Sequence, residues 1–480
     1  MAANLHPDDD LPIKNQSLDQ ESFRINPNPV PGSLDDRPRL RLKELYPNID
    51  NYRTVPTASY IDPSSIKQEW ESLWTKTWLY AGHICDLQKP GDWFRFEINH
   101  ESVIVARNAK GNINAYSNAC RHRGTRLATA EFGRGAKGFM CPFHGWRYDM
   151  SGRNIRIVDR DTFAPETLCD VDLKQVRCEV AHGLVFVTFN PAAGSLREFL
   201  GGMSDVLESY AIDRMFIVKD VEYNMLSNWK TALDAFQEAY HTQTTHREFK
   251  PMVEDYFIQF DFYANGHNRA LTPHLKVSQR LRDRHTLNHF FVNALKEVGI
   301  DPEGFEGGPE AARVAVQKAK RQKDNKYGLD YSVFTDDQLT DDWNLTVFPN
   351  ITFNAHPEGI LLMRFRPHPT NVDLSFYDVQ IFVPKLKDGV RPPAYMGVAP
   401  DVDISGKTRP DRVYFEGKDA HLLGPVLGAD ATNVPRAQQG MKSQGMNGFI
   451  RFAESERRIQ QFHAERELYM SGRKVLATQS

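Results

Sequence analysis

The sequence predicts an α+β fold in two units, and three observations predict it. Between about residues 90 and 190, short runs alternate apolar and polar residues and are broken by Gly and Asn, the pattern of a small all-β unit. Beyond about residue 190, helical and strand-like stretches are mixed. The chain has 480 residues, which allows roughly two to four domains on length alone.

The elements follow in order. Residues 1 to about 55 carry seven prolines by residue 50 and little apolar periodicity. They read as an extended arm, partly disordered or lying on a neighbour. In "PSSIKQEWESLWTKTW", Ser65 and Gln68 have the spacing of a capping box, and Ile66, Trp70, Leu73 and Trp74 fall on one helical face. A unit of about 56 to 190 then holds the strand runs "GDWFRFEI", "ESVIVARN", "NINAYSNA" and "GLVFVTFNP". A second unit, 191 to 480, opens with "SNWKTALDAFQEAYHTQTTHREF", which begins as a helix. Residues 265 to 340 are strongly charged, and "EAARVAVQKAKRQKDNKYG" reads as a solvated helix. "WNLTVFPNITFNAHPEGILLMRFRPHP" reads as sheet and "ESERRIQQFHAERELYM" as a closing helix.

Composition excludes some functions. A net charge of −3 and a pI of 6.6 give no bulk electrostatic reason to bind nucleic acid or an anionic membrane. Mean hydropathy is −0.53, and no apolar run approaches the roughly 18 residues of a membrane span. The opening "MAANLHPDDDLPIKN" is polar and has no hydrophobic signal region, so a soluble cytoplasmic protein is expected. Five cysteines, an odd and sparse set, argue against a disulfide framework and leave thiols free for metal.

The stretch "CRHRGTRLATAEFGRGAKGFMCPFHGW" reads C-x-H-x18-C-x-x-H, with Cys120, His122, Cys141 and His144 as candidate ligands. A Cys2His2 zinc site is the plain reading. Zinc fingers, however, usually pair like with like along the chain, whereas each loop here gives one Cys and one His. That suits a two-iron cluster with both Cys on one iron and both His on the other. "CRHRG" and "CPFHGWRYD" resemble the two ligand loops of Rieske [2Fe–2S] domains.

A Rieske cluster needs only about 100 residues, and some 290 follow. In "EAYHTQTTH", Glu238 and His241 are three apart and would share a helical face. His246 falls five further on, behind Thr242, Gln243, Thr244 and Thr245, a run that weakens helix and can let His246 swing back beside His241. Downstream of a Rieske motif, this pattern resembles the mononuclear iron motif of Rieske oxygenase α subunits. The resemblance covers roughly residues 45 to 465, weakest between 265 and 340.

The resemblance implies a catalytic unit built on an antiparallel sheet flanked by helices. It implies a Rieske [2Fe–2S] cluster on Cys120, His122, Cys141 and His144, and Fe(II) on His241, His246 and a distant carboxylate. Asp430, eight residues before Gln438, fits the family's spacing better than Asp341 or Asp342, although Pro435 would interrupt a helix starting at Asp430. Glu238 stands where the family has an acid, usually Asp, that links a neighbouring subunit's Rieske histidine to the iron. Asp234, one turn earlier, competes for that role.

The implied activity is that of a terminal oxygenase. It would take NAD(P)H electrons from a separate reductase, with or without a ferredoxin, and O2, to hydroxylate or demethylate an organic substrate. Aromatic compounds and methylated amines both fit. A homotrimer, with or without a β subunit, is the implied assembly. No Gly-rich dinucleotide fingerprint follows a strand, so NADH binding by this chain is not expected. Two alternatives belong to other classes: a Rieske electron carrier without oxygenase chemistry, and a zinc-stabilised binding module. Phe236, Phe348, Phe353 and Met363 are pocket candidates, though core residues more often. Arg364 and Arg366 are expected on a sheet surface more often than against an acidic substrate.

Overall fold

A computed structural model describes residues 42–474. The expected runs form strands Trp93–Ile98, Glu101–Arg107, Ile113–Ser117 and Leu184–Thr188. They join Leu79–His83, Gln175–Ala181 and Phe132–Gly133 in a seven-stranded antiparallel sheet. Trp93–Ile98 alternates as its sequence does, with Phe94, Phe96 and Ile98 buried. Glu101–Arg107 is buried on both faces: Val103 and Val105 enter one core, Ile104 and Ala106 another. A second sheet, Gly138–Met140, Arg147–Asp149 and Asn154–Arg156, stacks beside it as two hairpins.

The C-terminal half is built on eight strands in the order Gln259–Phe262, Asn268–Thr272, Asp342–Val347, Ile351–His356, Gly359–Pro367, Ser375–Val383, Phe216–Met225 and Val413–Phe415. Every pairing is antiparallel except the last. Helices Trp229–Ala235, Pro425–Gly440 and Arg457–Met470 pack together against it: Trp229, Leu233, Phe365, Tyr377, Val434 and Phe462 share one core. The α+β class with an antiparallel catalytic sheet flanked by helices is therefore the fold found. Among the described residues no helix is long and apolar enough to cross a membrane.

Several local expectations change. Ser65 does not cap its helix, which starts at Ser64; the Ser64 N–H is met by Asp62 Oδ1 at 2.9 Å instead. That helix widens into a π turn at Trp70–Trp74, which carries both Leu73 and Trp74 inward, the latter edge-on to Trp229. Most of the expected N-terminal arm lies outside the described residues. Its described part packs on the body, with Leu42, Tyr46 and Ile49 against Ile258, Phe260, Phe262 and Ala464. The charged helix Pro309–Lys320 is not solvated all round: Ala312 and Val316 pack on Phe291 and Leu295 of the helix His289–Glu297. Its charged Arg313 and Lys320 reach Asp341 (2.5 Å) and Glu358 (2.7 Å).

Arg364 and Arg366 are not surface residues either. They lie buried in the seam between the large sheets, each bonded to Asp378. Arg364 also donates to the Tyr80 carbonyl (3.1 Å) and Arg366 to the Glu97 carbonyl (3.1 Å), both across the seam. A cavity of about 290 Å3 lies here, lined by these arginines, Arg409, Arg412 and Glu222. None of the candidate metal ligands lines it. Burial alone would raise the Asp378 carboxyl, but Arg364, Arg366 and Arg412 hold it well below the usual carboxylate range. Asp378→Ala would leave these cations buried without their common partner. It is expected to destabilise the protein by about 3–5 kcal/mol, read in denaturant unfolding of the purified chain.

Candidate metal centres

The two Cys/His loops share one hairpin design. In the first, the Cys120 N–H meets the Thr125 carbonyl (2.9 Å) and the Gly124 N–H meets the Cys120 carbonyl (2.9 Å). In the second, Cys141 pairs with Trp146 (2.8 Å) and Gly145 with Cys141 (3.0 Å) in the same way. Gly124 at φ +78 and Gly145 at φ +70 make each turn possible, because an L side chain is strained there. Strands Gly138–Met140 and Arg147–Asp149 clamp the second loop. Asn118 staples the first: its Oδ1 accepts the Leu127 and Ala128 N–H groups and its Nδ2 donates to Ser102. The sequence reading missed Asn118; its signal is only a polar residue two before the first Cys.

These turns bring four donors together. Cys120 and Cys141 are buried, and the His122 and His144 ring centroids are 4.6 Å apart. The Nδ1 atoms of both histidines are buried without a hydrogen-bond partner, as suits imidazoles that await a metal. His122 stacks on Trp146 at 5.1 Å, which fixes its ring plane. Burial raises the Cys141 thiol, but the His144 and Phe143 N–H groups outweigh it, and the net direction is down, toward thiolate. Two cysteine sulfurs and two orphan imidazole nitrogens fit a [2Fe–2S] cluster.

Tyr148, also missed in the sequence, lies with its hydroxyl 3.3 Å from Cys120 Sγ. Donation to a ligand sulfur stabilises the extra electron of a reduced cluster. Tyr148→Phe is therefore expected to keep the cluster and lower its reduction potential, measured by redox titration of the visible absorption.

The second site does not form as one helix. The helix Trp229–Ala235, capped by Asn228, stops short of Glu238. Glu238 Oε2 accepts the Tyr240 and His241 N–H groups, which seeds the 3-10 turn Tyr240–Gln243 instead. Glu238 and His241 thus meet not as helical neighbours but through this turn, with Glu238 Oε1 2.6 Å from His241 Nδ1. His246 follows after the Thr-rich stretch and returns beside His241, ring centroids 5.1 Å apart.

Asp430 arrives from the helix Pro425–Gly440. That helix begins before Asp430 and carries Pro435 in its interior without interruption, contrary to the expected break; a Gly424 entry and Pro425 at its first position start it early. Asp430 Oδ1 lies 2.9 Å from His246 Nε2 and 3.6 Å from His241 Nε2. One ligand atom from each of His241, His246 and Asp430 lies within 4.8 Å of the others. Among the described residues this is the only such group of three or more. Asp341 is bound to Arg313, and Asp342 is held by Asn354 Nδ2 at 2.6 Å; neither joins the group. Asp234 does not touch His241 as Glu238 does; its Oδ2 accepts the Tyr60 hydroxyl at 2.6 Å.

The electrostatics favour a cation. Burial would lower the His241 imidazole, but Glu238 and then Asp430 push it up to about 9. In the metal-free protein this protonated form is stabilising below the ordinary histidine range, and the gain is lost as pH rises through about 9. A metal needs the neutral ring, so it must displace that proton. Iron affinity is expected to rise with pH up to about 9, by up to roughly tenfold per unit, with proton release on binding measurable by calorimetry in two buffers.

Of the pocket candidates, Phe348, Phe353 and Met363 are core residues. Phe236 stacks on Tyr377 and lies near Phe365, packed against the same core.

Comparison with known proteins fits these two sites. The Rieske [2Fe–2S] domain model matches residues 77–167, which sets aside the zinc module. The chain is 28% identical to the glycine betaine monooxygenase oxygenase subunit of Pseudomonas aeruginosa over 206 residues, 43% of this chain and 48% of that one. It is 30% identical to the benzene 1,2-dioxygenase subunit alpha of Pseudomonas putida over 197 residues, 39% of this chain and 42% of that one. It thus spans about half the length of the curated relatives it matches. Its fold is similar to that of naphthalene 1,2-dioxygenase from Rhodococcus sp. bound to indole, at 21% identity and a TM-score of 0.61 over 90% of this chain and 97% of that one. It is also similar to the quaternary ammonium Rieske monooxygenase CntA in complex with L-carnitine, at 16% identity and a TM-score of 0.61 over 87% and 97%. The model of the ring hydroxylating alpha subunit catalytic domain matches residues 212–472, more than half of the chain, and the chain belongs to that family.

Proposed function

We propose that this chain is the terminal oxygenase of a multi-component system, taking electrons from a partner reductase, with or without a ferredoxin, to hydroxylate or demethylate an organic substrate with O2. The observation that carries the reading is the convergence of His241, His246 and Asp430 in the same chain as the two Cys/His loops. Cys120 and Cys141 would hold one iron of the cluster and His122 and His144 the other. His241, His246 and Asp430 would hold Fe(II) on one face, which leaves positions open. When bound, the cluster supplies single electrons and the Fe(II) supplies O2 activation. Against a cluster-only electron carrier stand the buried Asp430 and the anionic surroundings of His241, which such a protein does not need.

The chain's own residues do the rest. Glu238 orients His241 through Nδ1 and keeps Nε2 turned toward Asp430. Phe236 stacks on Tyr377, a buried ring that feels the Asp430 charge, and the pair would give the ligands an apolar neighbour. We divide the chain into an arm to residue 55, a cluster unit to 190 and a catalytic unit to 480. A head-to-tail homotrimer in the cytoplasm would bring His144 of one subunit to Glu238 of the next; the half-exposed Tyr240 beside Glu238 suits such a contact. Turnover of candidate aromatic and methylated-amine substrates by purified protein with a surrogate reductase under labelled O2 tests the reading. Label in the product supports it; O2 consumption without label in any product opposes it.

A further inference from the structure

Three side chains from three segments meet within reach of the Glu238 charge without belonging to the metal group. Tyr60 lies in the helix Ala58–Ile61, Asp234 in Trp229–Ala235 and His463 in Arg457–Met470. The Tyr60 hydroxyl is 2.6 Å from Asp234 Oδ2 and 2.5 Å from His463 Nε2. Tyr60 and His463 are buried. A hydroxyl has one proton, so it cannot donate to both neighbours. Two proton arrangements satisfy the chain. Either His463 N–H donates to Tyr60 and Tyr60 O–H to an Asp234 carboxylate, or an Asp234 carboxyl donates to Tyr60 and Tyr60 O–H to His463.

The surroundings allow both. His463 stays neutral, because burial and then Arg466 and Lys230 push its imidazolium well below the usual range. Asp234 is pushed up to about 8, by burial first and by Glu456 and Glu238 in smaller part, against the Tyr60 hydrogen bond and Lys230. Its Oδ1 is buried and has no partner. Three residues on, Gln237 is fully buried, and neither atom of its amide has a partner. Orphan groups in a native interior mark a place where a partner belongs, commonly water. Asp234 and Gln237 precede Glu238 along the chain, and the Glu238 carboxylate both helps to raise Asp234 and touches His241.

We propose that Asp234 is the acid that delivers a proton to the metal site, with Tyr60 and His463 as its positioning residues and the Gln237 amide at its exit. The proposal rests on the oxygenase reading. Hydroxylation of a C–H bond by O2, with water as second product, consumes two electrons and two protons. The electrons come from the reductase. One proton leaves Asp234 as its O–H bond breaks and ends on oxygen derived from O2. The Tyr60 O–H turns from His463 to the carboxylate left behind, His463 stays neutral with its proton on Nδ1, and solvent later returns the proton to Asp234. A purely structural Asp234 would pack and charge the helix but release no proton.

Infrared spectroscopy of the purified full chain, with and without its metals, reads the acid directly. A protonated-carboxyl band is expected at neutral pH, absent in Asp234→Asn and shifted in frequency in Tyr60→Phe. In the metal-loaded enzyme, Asp234→Asn should keep cluster absorption and iron yet lose about a hundredfold in product formation, the low end of what a positioned acid contributes, with hydrogen peroxide released instead. Should Asp234→Asn lose its metals, Tyr60→Phe, which keeps the carboxyl, decides by the same readouts. An Asp234 already ionised at neutral pH, or product per O2 unchanged in both variants, overturns the proposal. A wild-type enzyme with both metals that consumes no O2 overturns the oxygenase reading and the proposal with it, whatever the infrared band shows.

Discussion

Asp430→Ala is expected to remove mononuclear iron and with it turnover, while the cluster's visible absorption stays. Two imidazoles alone make a weak site, and the loss should exceed the roughly 100-fold that removal of an outer hydrogen-bond partner can cost. The same change at Asp342 should leave iron in place. Asp342 sits among Asn354 and His356 at the far end of its strand, and burial pushes its carboxyl up to about 7. Metal analysis of the two variants separates the assignments: iron lost from Asp342→Ala and kept in Asp430→Ala would reverse them.

Glu238→Gln should keep both metal centres and lose turnover by roughly 10–100-fold, the range for a group that orients a metal ligand. A carboxylate has about four acceptor sites. Three are engaged within the chain, by the Tyr240 and His241 N–H groups and by His241 Nδ1. One remains to accept a hydrogen bond from His144 of a neighbouring subunit. An amide in its place puts an NH2 against one of these N–H donors, so either the turn or the His241 contact is lost. Stopped-flow on pre-reduced protein should show the mutant cluster staying reduced when O2 and substrate are added. Normal reoxidation in Glu238→Gln would place the electron path elsewhere, and a fully active monomer would remove the path between subunits.

Much of both sites was legible in the sequence because ligation demands particular residue types at short spacing. Cys120, His122, Cys141 and His144 announce themselves, and the glycines that turn their loops do so too. His241 and His246 were legible as a pair because three threonines, weak helix formers, stand among the four residues between them. Asp430, nearly two hundred residues away, was reached only through family spacing. The local backbone around these residues was harder to read. Glu238 competes with the helix for the N–H groups of Tyr240 and His241, a side-chain effect that apolar periodicity does not register. Pro435 is tolerated inside a helix whose packing against Trp229–Ala235 outweighs one lost hydrogen bond. Arg364 and Arg366 looked like surface residues because their common partner Asp378 lies on the next strand, and the seam they close belongs to tertiary structure. Tyr60 and His463 gave no signal at all, since their meaning lies in a contact across some four hundred residues.

The central claim is that one chain holds a Rieske cluster and a separate catalytic iron, and the most direct measurement is the iron and acid-labile sulfide content of the purified protein. The account predicts a red-brown protein with about three irons and two sulfides per chain, falling to about two irons with sulfide unchanged in His241→Ala. A colourless protein carrying zinc, or one whose iron content is the same in His241→Ala as in the wild type, would contradict it.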